Sequence, residues 1–285
     1  MKSKIFILFI FSSYSAFAQI YNKKELLKNY NAYDIVLKYN NDFNNDKIMD
    51  VLYILSSKKE NDEALVNNNN SVSKRKAVIY LGKTNENFLR IFETDNIFPC
   101  RECTGKSDND ISDLKFEKNI LSYKTIIAPF SSNNYSIINF KLKFINQNFE
   151  ICNYEETYYK VGEDNNAIIR LDSGDIPKMK FNYYDWVASK SWDDYILVTS
   201  QNVTKLNDFA YKIESVNPSV SINVLLKIIK KYPERVVAYL NLADGYWETG
   251  DKLKAKENYK KYIALMKSQN KDLKKIPKQV CERTK

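Results

Sequence analysis

Along this chain the spacing of apolar residues changes from one regime to another. From Asp34 to Leu171 they alternate with polar residues or form short runs, which predicts strands at Ile35–Tyr39, Val51–Leu55, Ala77–Leu81, Phe88–Glu93, Leu114–Glu117, Leu121–Ile127, Tyr135–Ile145, Phe149–Tyr154 and Ile168–Leu171. Alternation is cleanest in Ile137 to Phe144. Their close spacing predicts hairpins feeding an antiparallel sheet. A short helix is expected over Lys23–Asn29, and the polar stretch Glu60–Lys76, with its Asn67–Asn70 run, reads as an exposed loop. From Ser219 the period becomes helical. The expected fold is therefore α+β in two parts: a β-rich domain over 19–200, a linker over 201–218, and a helical module with a basic tail over 219–285.

The first residues supply a destination. Lys2 and Lys4 precede an apolar run from Ile5 to Phe11, and Ala16-Phe17-Ala18 stands before Gln19, the layout of a signal peptide over 1–18. The expected product is periplasmic or secreted. No Cys follows the cleavage site, and no other apolar run approaches the roughly 20 residues needed to span a bilayer, so no stable membrane anchor is expected.

Export changes how the four cysteines are read. Cys100, Cys103, Cys152 and Cys281 allow three pairings, and the sequence does not choose among them. The C-x-x-C of Cys100 and Cys103 runs into Gly105 and a polar loop rather than opening a helix. That context favours a structural clip over a thiol-disulfide oxidoreductase, which remains an alternative.

Histidine is absent from all 285 residues. Ser-His-Asp and Cys-His nucleophiles and His-ligated zinc are thereby excluded, and with a single C-x-x-C so is zinc held by two C-x-x-C pairs. Carboxylate catalysis needs two placed acids. Asp172 with Asp175 and Asp193 with Asp194 are the candidate pairs, and loop carboxylates more often make solvated turns. The expectation is a protein that is not an enzyme.

One short segment has metal chemistry. Asp42-Phe43-Asn44-Asn45-Asp46-Lys47-Ile48-Met49-Asp50 places side-chain oxygens at positions 1, 3, 5 and 9 (Asp42, Asn44, Asp46, Asp50) and the Ile48 carbonyl at position 7. A hard cation such as calcium takes ligands of this kind. Lys47 replaces the Gly usual at position 6, and Tyr53 stands where an EF-hand has its bidentate Glu. Over residues 35–56 the loop-then-strand pattern resembles the calcium loops of FG-GAP or integrin-type β-propeller blades. The resemblance implies propeller-blade-like hairpins and a structural calcium; a metal-free Asx-rich turn is the alternative.

The helical part also resembles a known family. In Ala238 to Tyr262, Leu242 and Ala243, Tyr246, Gly250, Ala255 and Tyr259 stand at the signature positions of a tetratricopeptide repeat, and Leu225–Tyr232 before Pro233 resembles the second helix of a preceding one. About one and a half repeats are visible. The resemblance implies a surface for a protein partner, with Tyr239, Asn241, Tyr246, Lys252, Lys256 and Lys260 as candidate contacts.

Charge concentrates there. Residues 219–285 hold 16 Lys/Arg against 7 Asp/Glu, while the rest is balanced, so the whole net charge of +9 sits on the module. An acidic protein partner is one expectation from this field. Export argues against nucleic acid. An immunity-type protein that neutralises a periplasmic toxin is a further reading of the same class. The oligomeric state is not legible.

Overall fold

The computed structural model describes residues 19–58, 74–99, 111–127, 134–162, 166–189 and 192–284. The expected signal peptide over 1–18 and the C-x-x-C cysteines Cys100 and Cys103 lie outside them. Two five-stranded antiparallel sheets and a set of helices make up the α+β architecture.

The first sheet contains β1 (Ile20–Asn22), β2 (Tyr33–Asn41), β3 (Asp50–Ser57), β4 (Lys76–Gly82) and β5 (Asn87–Thr94), in the order β1-β5-β4-β3-β2. Its central strands β3 and β4 are buried on both sides. Leu52, Ile54, Ala77 and Ile79 enter the main core, while Val51, Tyr53, Leu55, Val78 and Tyr80 pack against Tyr21, Leu26 and Tyr30 from the N-terminal segment. This is why Val51 to Leu55 is continuously apolar rather than alternating. Lys23–Asn29 is not one helix but falls among two 3-10 turns, Lys23–Glu25 and Lys28–Tyr30, which carry Leu26 and Tyr30 onto the sheet.

The second sheet is a sequential meander of β6 (Ser112–Glu117), β7 (Ile120–Ile127), β8 (Asn134–Ile145), β9 (Asn148–Lys160) and β10 (Ala167–Asp172). Leu121, Tyr123 and Thr125 on β7, and Ile138, Phe140 and Leu142 on β8, face the core. Five-stranded sheets sharing one core replace the propeller-blade-like hairpins that the calcium-loop resemblance implies. The sheets meet through aromatic side chains: Phe92 of the first lies 5.4 Å and 5.3 Å, centroid to centroid, from Phe144 and Phe149 of the second.

After β10 come a π-helical turn at Tyr184–Ser189, then α1 (Trp192–Tyr195), α2 (Val203–Ile213), α3 (Pro218–Lys231), α4 (Val236–Glu248), α5 (Lys252–Ser268) and α6 (Lys278–Arg283). The expected linker over 201–218 is therefore corrected. Val203, Leu206, Phe209, Ala210 and Ile213 have helical spacing and are all buried, so most of that segment is α2. Short connections join α2 to α3, α3 to α4 and α4 to α5, and consecutive helices pack in antiparallel pairs. Phe209 of α2 packs against Tyr158 of β9 and Trp192 of α1, with centroids 6.0 Å and 5.4 Å away. The helices and the second sheet thus share the main core.

Candidate functional site

The Asp42–Asp50 segment forms a tight loop between β2 and β3. Asp42 accepts hydrogen bonds from the backbone N–H groups of Asp46 and Lys47, at 3.1 Å and 2.8 Å. Asn44 accepts from Asp46 N–H and donates to its carboxylate, and Asp46 accepts from Ile48 N–H. Lys47 has φ 70°, the left-handed conformation for which calcium loops use Gly at this position. For a residue with a Cβ that conformation costs about 1–2 kcal/mol.

Asp50 holds the loop to its sheet. Fully buried, it accepts from Phe43 N–H at 2.7 Å and, across 32 residues of sequence, from Gly82 N–H at 2.9 Å. Burial pushes its carboxyl up to about 6 against these two donors, and the charges of Asp46 and Asp42 push the same way. Phe43 does the complementary work. Its ring stacks on Phe116 of the second sheet at 4.2 Å, and its carbonyl accepts from Asn119 N–H. Burying such a ring is worth roughly 1.5–3 kcal/mol, more than any one of the exposed loop bonds at about 0.5–1.5 kcal/mol net. Through Asp50 on one side and Phe43 on the other, the loop joins the two sheets.

The donor chemistry of the loop suits calcium. Every side chain in the set offers oxygen, and each carboxylate oxygen bound to an N–H retains a second acceptor direction. In this conformation the carboxylates turn toward the loop's own N–H groups, and among the described residues no three acidic or cysteine side chains converge as metal ligands.

In the helical module the predicted contact residues divide. Tyr239 and Asn241 are 8% and 6% exposed, because α4 turns them into its packing with the neighbouring helices. Tyr246 is half-buried, with the Lys254 ammonium 5.2 Å from its ring centre. Lys252 lies 3.8 Å from the Trp247 ring centre and donates to the Trp247 carbonyl. Lys256 is half-buried, while Lys260 is exposed.

A group that the repeat resemblance did not mark gathers on the side formed by α2, α4 and α6. Arg283 of α6 donates to Asp244 at 3.0 Å and to the Tyr259 hydroxyl, and its guanidinium lies 4.5 Å from the Trp247 ring centre. Glu214, at the end of α2, feels Asp244, Glu248 and Arg283 but makes no hydrogen bond or ion pair with any of them. Burial, then the two carboxylates, against Arg283, push it up to about 7. Burial likewise raises Asp244, against its bonds to Tyr259 and Arg283. The chemical signal for this group was weak: Glu214 stood in the expected linker and Arg283 in the tail.

The acidic pairs have structural employment. Burial works to raise Asp175, but Lys205 at 2.7 Å and Asn202 outweigh it and hold it below the ordinary range. Asp193 is buried and accepts from Asn223 of α3. Cys152 and Cys281 are free thiols; the former is half-buried, its S–H directed at the Lys141 carbonyl, and burial pushes its pKa up. A raised pKa is the opposite of what a thiol nucleophile needs.

Compared with protein-family models, curated proteins and solved structures, the chain matches none.

Proposed function

We propose that this chain is an exported, non-enzymatic interaction protein whose helices receive a protein partner on the side formed by α2, α4 and α6. The observation carrying this reading is Glu214: a half-buried carboxylate without a hydrogen bond or ion pair among the described residues, raised to about 7, beside the Trp247–Arg283 stack. A basic side chain from a partner would relieve that carboxylate, and an aromatic and an arginine beside it are the side chains that dominate binding energy at interfaces. The commitment of Asp175 to Lys205 and Asn202 supports the non-enzymatic reading.

Within this proposal the Asp42–Asp50 loop is a structural staple. Asp42, Asn44, Asp46, the Ile48 carbonyl and Asp50 would hold calcium, which would supply charge neutralisation at the junction of the two sheets. The test is co-purification of a tagged mature chain from its native compartment, beside Glu214→Arg and Trp247→Ala variants. A partner lost by both variants, and kept by a Lys260→Gln control, supports the reading. A partner held equally by all of them refutes it.

A further inference from the structure

The lysines of the helical module are not spread evenly. Arg235, just before α4, donates to Thr204 in the first turn of α2 at 3.1 Å, and Gln269, just after α5, donates to the Glu234 carbonyl at 2.7 Å. These two bonds place the start of α2, the end of α3, the start of α4 and the end of α5 at one pole of the module. Lys230 and Lys231 close α3 there, and Lys267 lies in the last turn of α5. The chain then runs through Lys271, Lys274 and Lys275 to Lys278 at the head of α6. All seven are exposed, and among the described residues none pairs with a carboxylate. On the rest of α5, Lys254 pairs with Asp251 and Lys252 lies over Trp247, while Lys260 and Lys261 are exposed.

Complementing helix C-termini explains only part of this. That effect fades within the last turn, which covers Lys230, Lys231 and Lys267 but not the four lysines beyond α5. Between those four, Leu273 is 46% exposed, while Ile276 is held against the α4–α5 core and anchors the segment.

We propose that this pole rests on an anionic phospholipid membrane surface. Three observations favour lipid over an acidic protein. The cations are lysines, which protein interfaces deplete, whereas planar bidentate recognition uses arginine. They are unpaired and on long flexible stems, suited to many interchangeable headgroups rather than a fixed set of carboxylates. An exposed leucine lies among them, as in segments that add apolar insertion to electrostatic attraction. The inference does not rest on the protein-docking reading.

The test uses the full mature chain and sedimentation with vesicles of phosphatidylcholine alone or with a third phosphatidylglycerol. Binding is expected only with the anionic lipid, falling steeply with salt. At about five-fold per lysine near the surface, Lys271→Gln/Lys274→Gln/Lys275→Gln/Lys278→Gln weakens it by on the order of a hundred-fold or more. The same four changed to Arg should retain it, and circular dichroism melts establish that both variants fold. Four substitutions to Gln among the sheets, at Lys83, Lys115, Lys141 and Lys143, should have a much smaller effect. No sedimentation with the anionic vesicles, equal binding to both kinds, or equal weakening by the sheet variant overturns the proposal. So does binding of soluble polyglutamate without vesicle binding, which would assign the pole to an acidic protein. Vesicles contain no protein, so each of these failures leaves the partner proposed for the Glu214 side untouched.

Discussion

Asp46→Asn separates a metal-holding loop from a self-sufficient turn. The substitution preserves an acceptor for Ile48 N–H and removes one charge. Without metal it should do little. Asp46 is one of two carboxylates raising Asp50, so its removal lowers the Asp50 pKa somewhat and gains under about 1 kcal/mol at neutral pH, as for other exposed charge pairs. With calcium the two proteins should part. Extracellular sites have dissociation constants of about 10⁻⁴–10⁻³ M, so about 10 mM calcium gives the parent roughly 1.4–2.7 kcal/mol. For a chain of this size that is roughly 3–10 °C in Tm, and Asp46→Asn should lose most of it. The pH dependence has a definite sign. Asp50 is raised from 3.8 to about 6, so between those values the metal-free folded state holds more protons than the unfolded chain, and stability falls as pH rises through the window. Calcium favours the ionised carboxylate; its stabilisation should be full above the window and fade as pH falls through 6. Differential scanning calorimetry against magnesium at matched ionic strength reads all of this. A parent Tm indifferent to calcium, or equal calcium shifts in parent and variant, would refute the staple.

Trp192→Ala removes a fully buried ring that donates to Tyr158 and packs on Phe209, and should cost about 3–5 kcal/mol in urea unfolding; a loss below about 1.5 kcal/mol would mean the helices dock without it. Gly82→Ala would place a Cβ 2.5 Å from the Met49 carbonyl oxygen and 2.6 Å from an Ile48 methyl, so a cost of about 1–3 kcal/mol is expected. Gly174→Ala, which meets nothing within 4 Å, should stay within about 0.5 kcal/mol, and equal effects at the two sites would contradict the packing. Arg283→Ala should raise the Glu214 carboxyl further above about 7, followed by its NMR titration. Because Glu214 is raised, its contribution falls as pH rises from the ordinary range toward 7, and Glu214→Gln should flatten that slope. An unmoved Glu214 in the Arg283 variant would dissolve the proposed cluster.

Much of the fold was legible because burial wrote itself into spacing. Tyr123 and Phe140, paired across β7 and β8, alternate with half-buried or exposed polar residues, so one face of the meander could be read directly. The helix α2 was equally readable at Val203, Leu206, Phe209 and Ile213. It was passed over because Asn202, Thr204, Asn207 and Asp208 give that stretch the polarity of a connection. The loop's anchors were harder. Gly82 and Phe116 lie far along the chain from Asp50 and Phe43, and nothing local announces that a glycine leaves room for a neighbouring turn. The burial of Tyr239 and Asn241 was hard to read for a related reason: helical spacing locates helices, whereas accessibility depends on what packs over them.

Glu156 bears on why so short a helical array is stable. A charged residue on a strand reads as solvent-facing, yet it is 5% exposed and, among the described residues, has no cation beside it; Tyr154 and Tyr158 donate to it, and Ser136 bonds to it as well. Burial raises its pKa against these donors. An uncompensated buried charge is expensive, so the arrangement depends on every hydroxyl being in place. Trp192 of α1 donates in turn to Tyr158, which ties the start of the helical region to the strand that carries the charge. Sliding the helices along the sheet would therefore break a polar network in the core as well as apolar contacts, and polar networks tolerate partial satisfaction poorly. The second sheet thus gives the helices a packing partner, held by the shared apolar core and by the chain of hydrogen bonds from Trp192 through Tyr158 to Glu156.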